Sequence, residues 1–153
     1  MKSIMMVKRS IKILALASIF LSSCTVKWVA DYDADLAASV QQVAKTTDAF
    51  YLNMLESSSR SDSTRNYSYF APGYATIEAE LNSIRLQNQI KALNEHSTRI
   101  SEIAIEMWVD YKTEHKTDGT ISDGIIKLNR VYMQDVYRAM LIAEEGKNFT
   151  KPE

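Results

Sequence analysis

Residues 86–111 read LQNQIKALNEHSTRISEIAIEMWVDY, and this stretch carries the most regular pattern in the chain. Apolar and small residues recur there at alternating intervals of four and three, which places them on one face of an α-helix. They are Leu86, Ile90, Leu93, Ser97, Ile100, Ala104, Met107 and Tyr111. We therefore predict one long helix over residues 72–116. An earlier apolar set at residues 77, 81 and 84 is out of register, so we expect a bend or stutter near residues 84–86.

Two shorter amphipathic helices flank this one, from near Asp33 to Ser57 and from about residue 121 to the stop at Gly146. The predicted apolar face of the first is Leu36, Val40, Val43, Thr47, Phe50 and Met54. That of the third is Ile121, Ile125, Leu128, Tyr132, Val136, Ala139 and Ala143. The pattern predicts an all-α fold, an antiparallel three-helix bundle over residues 33–146 with a long middle helix that can bend, followed by a flexible tail, residues 147–153.

The middle helix would also suit a coiled coil with a second chain, because its repeat averages 3.5 residues. We prefer packing within one chain, since both flanking helices have apolar faces to bury. Residues 120–123 fit a capping box at the start of the third helix. Asp31, Asp33 and Asp35 at the start of the first helix have the spacing of a calcium loop, but the loop glycine and the closing glutamate are missing, so we interpret them as caps.

Composition agrees with a helical domain, because the chain has only four glycines and two prolines. The formal net charge is −1, but residues 1–23 hold four basic residues and no acidic one. Without them, 14 basic and 19 acidic residues remain, a net charge of −5. An acidic domain of this kind has no electrostatic basis for binding nucleic acid or for attraction to anionic lipid.

The N-terminus has the layout of a secretory signal peptide: a basic region over residues 1–12 and a short apolar core over residues 13–21. The segment ends in Leu21, Ser22, Ser23 and Cys24. This arrangement resembles the lipobox of bacterial lipoproteins, in which a branched apolar residue and two small residues precede a cysteine. The resemblance implies a signal peptide over residues 1–23, recognised by its peptidase through Leu21, Ser22 and Ser23. It further implies lipidation of Cys24, cleavage before it and acylation of the new amine.

The same resemblance implies a lipid-anchored protein of the cell envelope. Residue 25 is threonine rather than the aspartate associated with inner-membrane retention, which favours the outer membrane, facing the periplasm, if the organism is Gram-negative. Residues 24–32 would form the lipid anchor and a short tether. Within it, Trp28 either lies at the lipid interface, as amphipathic rings often do, or packs on the domain.

Catalytic motifs are not evident in the sequence. The sole cysteine would be consumed by lipid, and His96 and His115 match no metal-binding spacing. Glu102, Glu106 and Asp110 form an acidic ladder that we interpret as a solvated helix face. We therefore expect no catalytic residues, no metal and no cofactor, and a protein that is not an enzyme.

Aromatic residues cluster beside the serine-rich stretch over residues 57–65, and they are Tyr67, Tyr69, Phe70 and Tyr74. Tyrosine is favoured at interfaces, so these rings are the candidate contact for a partner; alternatively they cover the end of the bundle. The expected function is a membrane-anchored, non-enzymatic module that binds an envelope protein or assembles with itself. The alternative is a lipid-anchored carrier or sensor that binds an apolar ligand between its helices.

Overall fold

The structure is a computed structural model that describes residues 27–57 and 65–150; at residue 150 it describes the backbone only. Four α-helices lie in these ranges: α1 (Ala34–Glu56), α2 (Tyr67–Gln89), α3 (Glu95–Asp118) and α4 (Asp123–Glu145). A 3-10 helix (Gly146–Thr150) follows α4 directly. The described ranges contain no β-strand, so the all-α prediction is confirmed.

The helices form an antiparallel bundle in which each packs against its neighbours in sequence and α1 also packs against α4. Two contacts, one near the start of α1 and one further along, show that α1 and α4 run antiparallel. Near the start of α1, the Asp33 amide donates to Glu144 Oε1 at 2.7 Å. Further along, Thr47 Oγ1 and Tyr137 Oη lie 2.8 Å apart in the interior.

The predicted three-helix count is wrong, because the long middle helix is two helices that fold back on each other. The chain reverses between Ile90 and Asn94, where Leu93 adopts the left-handed conformation with φ of 61°. The Asn94 side-chain amide holds the turn by donating to the carbonyl oxygen and to Oδ1 of Asn88, at 3.0 and 2.8 Å. Leu86, Ile90 and Leu93 belong to the repeat that predicted one continuous helix with a buried face, but all three are exposed. The register that packs is that of Ile77, Leu81 and Ile84.

Five of the six residues on the predicted face of α1 are buried. The sixth, Phe50, is half-buried, and its neighbour Tyr51 is fully buried. The predicted face of α4 is wrong by about one position. Its buried residues are Ile126, Asn129, Met133, Tyr137, Met140 and Glu144. Because Asn129 and Glu144 are polar, the apolar pattern of the sequence is more regular on the neighbouring face than on the face that packs.

Helix caps follow the sequence closely. The Asp33 carboxylate accepts from the amides of Asp35 and Leu36, both at 3.0 Å, so its interpretation as a cap is confirmed. The predicted capping box over residues 120–123 is wrong by two positions, because the N-cap of α4 is Ser122 rather than Thr120. The Ser122 hydroxyl accepts from the Ile125 amide at 3.4 Å. Gly119 ends α3 in the left-handed conformation, with φ of 74°, which suits glycine.

The first residues of the predicted flexible tail lie in the 3-10 helix that follows α4. Lys147 lies in the 3-10 helix, is 5% exposed and forms an ion pair with the buried Glu144. Residues 151–153 lie outside the described part of the chain. Within that part, no helix is both long and apolar enough to cross a bilayer.

Candidate interaction surfaces

The lipobox-type residues Leu21, Ser22, Ser23 and Cys24 lie outside the described residues, as does the rest of the predicted signal peptide. The structure therefore bears on the predicted anchor only through the segment that follows it. Of the predicted tether over residues 24–32, the structure describes the part from Lys27 onward.

That segment is tied to the bundle rather than loose. The Ala30 amide donates to the Leu93 carbonyl at 3.1 Å, and Ala30 is buried. Lys91 forms an ion pair with Asp33 at 2.5 Å. The tether therefore enters the bundle beside the α2–α3 turn.

The four aromatic residues predicted to contact a partner do not share one environment. Tyr74 is completely buried and Phe70 is nearly so, while Tyr67 is half-buried and stacks on Tyr74 with ring centroids 5.9 Å apart. Tyr69 alone among the four projects into solvent, with 81% of its surface exposed. Contact of a partner with Tyr69 stays a prediction, whereas the other three rings pack in the bundle.

Trp108 is the centre of this aromatic packing. Its ring lies 5.0 Å from that of Tyr74, 5.6 Å from Phe50 and 5.8 Å from Tyr51, between centroids. Its indole Nε1 donates to the Tyr74 carbonyl at 3.0 Å. Gly73 leaves room for the Phe50 ring, because a Cβ there would lie 2.6 Å from it. Three helices are thereby joined at one end of the core.

His115 is buried against the same cluster, and its two ring nitrogens have partners that assign its tautomer. Nε2 lies 2.8 Å from the Arg65 carbonyl oxygen, which can only accept, so Nε2 carries the proton. Nδ1 lies 3.2 Å from Tyr74 Oη and therefore accepts from that hydroxyl. Burial lowers the pKa of His115 and raises that of Tyr74, so both groups are neutral. This is a structural hydrogen-bonded histidine.

We expect His115 to make the protein less stable as the pH falls from about 7 to 5. Because burial lowers its pKa in the folded state, the unfolded chain takes up the proton first. The stability is therefore fully present above the unfolded pKa of about 6.5 and is lost below it, by at most about 1.4 kcal/mol per pH unit. Urea unfolding at several pH values measures this slope. His115→Gln should flatten it, and the exposed His96→Gln should not; an unchanged slope in His115→Gln would contradict the assignment.

Apolar side chains also line the outside of the α3–α4 pair, and we call Ile103, Met107, Tyr111, Leu128, Val131 and Tyr132 the α3–α4 seam. Leu128, Val131 and Tyr132 of α4 are 43%, 50% and 46% exposed. Ile103 of α3 is exposed, and Met107 and Tyr111 are half-buried.

Helical geometry places these residues along one groove. On α4, Arg130 and Gln134 both reach Asp48 of α1, at 2.6 and 2.7 Å. Leu128 and Tyr132 therefore lie on the opposite flank, which faces α3. On α3, Lys112 reaches Glu78 of α2, so Tyr111 lies toward α4. Tyr111, Leu128 and Tyr132 thus lie along the α3–α4 boundary, where Leu128 and Tyr132 are nearly half exposed.

Three charged residues near the start of α3 pair with one another. Arg99 contacts Glu102 and Glu106 of the predicted acidic ladder, each at 3.2 Å. His96 is exposed at the start of the same helix. Across residues 27–57 and 65–150, no three histidine, cysteine or acidic side chains are grouped as a metal site would require.

One cavity among the described residues lies between the helices near the tethered end, and it is small. It is lined by Leu36, Val40, Asn88, Ser97, Met140 and Glu144, and its volume is about 10 Å³. That is room for about one water molecule rather than for an organic ligand.

Comparison with known proteins adds no family to this description. The chain matches no protein-family model, no curated protein and no solved structure.

Proposed function

We propose that this protein is a lipid-anchored envelope protein that acts without catalysis, as a module that binds a protein partner or a second copy of itself through the α3–α4 seam. The observation that carries the proposal is the exposure of large apolar side chains along that seam. Soluble domains seldom leave a contiguous apolar strip uncovered unless it binds something.

The seam has the composition of an interface core. It combines aliphatic residues with Tyr111 and Tyr132, and Met107 adds an adaptable side chain. Burial raises the pKa of Tyr111, so its hydroxyl stays neutral and able to donate a hydrogen bond to a partner.

The anchoring half of the proposal rests on the lipobox-type sequence ending at Cys24. Two or three acyl chains hold a protein at a membrane far more firmly than one. A module held in this way needs only modest affinity, because confinement to the same surface raises the effective concentration of a membrane-bound partner.

Leu128→Glu tests the seam, and Leu52→Glu is its matched control. The two leucines are 43% and 41% exposed, but Leu52 lies on α1, away from the seam. A charge placed in an apolar contact must be desolvated, so Leu128→Glu should weaken association by at least about tenfold. Light scattering of the purified protein reports self-association, and cross-linking in envelope membranes with an affinity tag reports a partner.

Leu52→Glu should leave both readouts at the wild-type level, and both variants should melt near the wild-type temperature because both sites are exposed. Wild-type association in Leu128→Glu would contradict the seam as the interface. Equal loss in both variants would show that the effect is one of added charge.

The alternative, a carrier of an apolar ligand, has less support. The interior cavity would have to expand from about 10 Å³ to the several hundred that a small molecule needs. Such an expansion would break the packing of Leu36, Val40 and Met140 around it.

A further inference from the structure

The tethered end of the bundle carries a second group of exposed apolar side chains, distinct from the α3–α4 seam. Trp28, Ile90 and Phe149 are 84%, 84% and 90% exposed, and Leu93 is 45% exposed. We call these four residues the apolar end. Among the described residues, they include the three most exposed large apolar side chains.

Contacts among three segments bring the backbone positions of these four residues to one end of the bundle. Trp28 precedes Ala30, whose amide bonds to the Leu93 carbonyl, and Ile90 begins the same turn. Phe149 lies in the 3-10 helix that starts beside Glu144, to which the Asp33 amide donates. The start of α1, the α2–α3 turn and the end of α4 therefore share one end of the bundle.

The way the tether is held fixes where an anchor at Cys24 would be. The chain is bonded to the bundle at Ala30, six residues after Cys24. Six extended residues span at most about 20 Å, so acyl chains on Cys24 would enter the bilayer close to the apolar end.

The charges at this end are nearly all paired with each other. The pairs are Lys27–Asp31, Lys91–Asp33 and Lys147–Glu144. The exposed Asp35, Glu95 and Glu145 leave an acidic rather than a basic rim around the apolar side chains. Anionic headgroups would therefore not attract this end electrostatically.

We propose that the apolar end docks on the lipid bilayer beside the acylated Cys24, with Trp28, Ile90, Leu93 and Phe149 inserted at the boundary between headgroups and acyl chains. This inference rests on the lipid anchoring of the proposed function. Its consequence is an upright bundle: helices of 23 residues are about 35 Å long, so Tyr69 stands about that far above the membrane. The α3–α4 seam then runs upward from the membrane and faces sideways, toward neighbouring proteins.

Quenching of tryptophan fluorescence by brominated phospholipid tests this orientation. The full chain, produced with its own leader in a bacterial host and purified from membranes, is reconstituted into phosphatidylcholine vesicles that carry bromine on the acyl chains. Trp108 is buried in the core and serves as a constant background. The control, Trp28→Phe with Tyr69→Trp, moves the exposed reporter to the opposite end, at a site 81% exposed.

We expect brominated lipid to quench more than about half of the Trp28 emission and little of the emission from residue 69. Ile90→Ser with Phe149→Ser should reduce the quenching of Trp28. Replacing half of the lipid with phosphatidylglycerol should change quenching by less than about twofold, because apolar contact drives docking.

Flotation with the vesicles and the intact mass of the protein measure anchoring separately. Protein that floats while Trp28 stays unquenched overturns the docking and leaves the lipid anchor standing. Trp28 shielded from both brominated lipid and aqueous acrylamide would show a second protein copy at this end, which also overturns the docking. Protein that neither carries lipid nor floats overturns docking and anchoring together.

Discussion

Replacing Trp108 by alanine should lower the free energy of unfolding by about 3–5 kcal/mol. The indole is completely buried, and its ring packs on those of Phe50, Tyr51 and Tyr74. The substitution leaves a cavity among rings from two other helices and removes the hydrogen bond to the Tyr74 carbonyl. Since domains of this size are stable by about 5–15 kcal/mol, the variant should unfold at a much lower urea concentration.

Trp28→Ala is the matched control, because it removes the same side chain from a site that is 84% exposed. Its unfolding midpoint, measured by circular dichroism, should stay at the wild-type value. Similar losses in the two variants would refute the placement of Trp108 at the centre of the core.

Lys147→Met should lower the free energy of unfolding by up to about 3 kcal/mol. Lys147 and Glu144 are 5% and 2% exposed and form an ion pair, and Glu144 also accepts from the Asp33 amide at 2.7 Å. Without the ammonium group, the Glu144 carboxylate is left buried with an uncompensated charge. We set the loss below that of a deep core pair because the last turn can fray and admit water.

The comparison for this variant is Lys127→Met, which removes an ammonium group from the solvated surface. Lys127 is 66% exposed and lies 4.0 Å from Asp123. An ion pair this exposed contributes little to the free energy of unfolding. Its unfolding curve should overlay the wild-type curve. If Lys147→Met does the same, residues 147–149 are a loose tail, as the sequence had suggested.

Local signals in the sequence predicted the parts of the fold that local chemistry determines. Asp33 was predicted to cap α1 and does so, because a carboxylate beside free amides acts within a single turn. The face of α1 was also predicted well, since its buried positions are nearly all apolar.

The errors arose where tertiary contacts override local preference. No glycine or proline marks the α2–α3 turn; Leu93 holds a left-handed conformation there because Asn94 and Asn88 bond across it. On α4, burial of Asn129 and Glu144 hides the packed face from a search for apolar periodicity. A residue whose partner lies on another helix gives no signal at short range.

The candidate surfaces divide in the same way. An aromatic-rich segment beside a polar loop pointed to a partner site, but Phe70 and Tyr74 pack inward because Trp108 and His115 approach from α3. The seam residues Leu128 and Tyr132 were predicted as core, and the structure leaves them nearly half exposed. Apolar residues alone do not indicate whether a helix face meets its own chain or another one.

The intact mass of the protein extracted from membranes tests the central claim, that a lipid on Cys24 holds this bundle at a membrane surface. We predict a chain that begins at residue 24 and carries the added mass of a diacylglycerol group and a fatty acyl group. Cys24→Ser should accumulate as the unlipidated, full-length precursor. A wild-type chain with an unmodified thiol, or a Cys24→Ser protein with normal cleavage and normal partition into detergent, would contradict the claim.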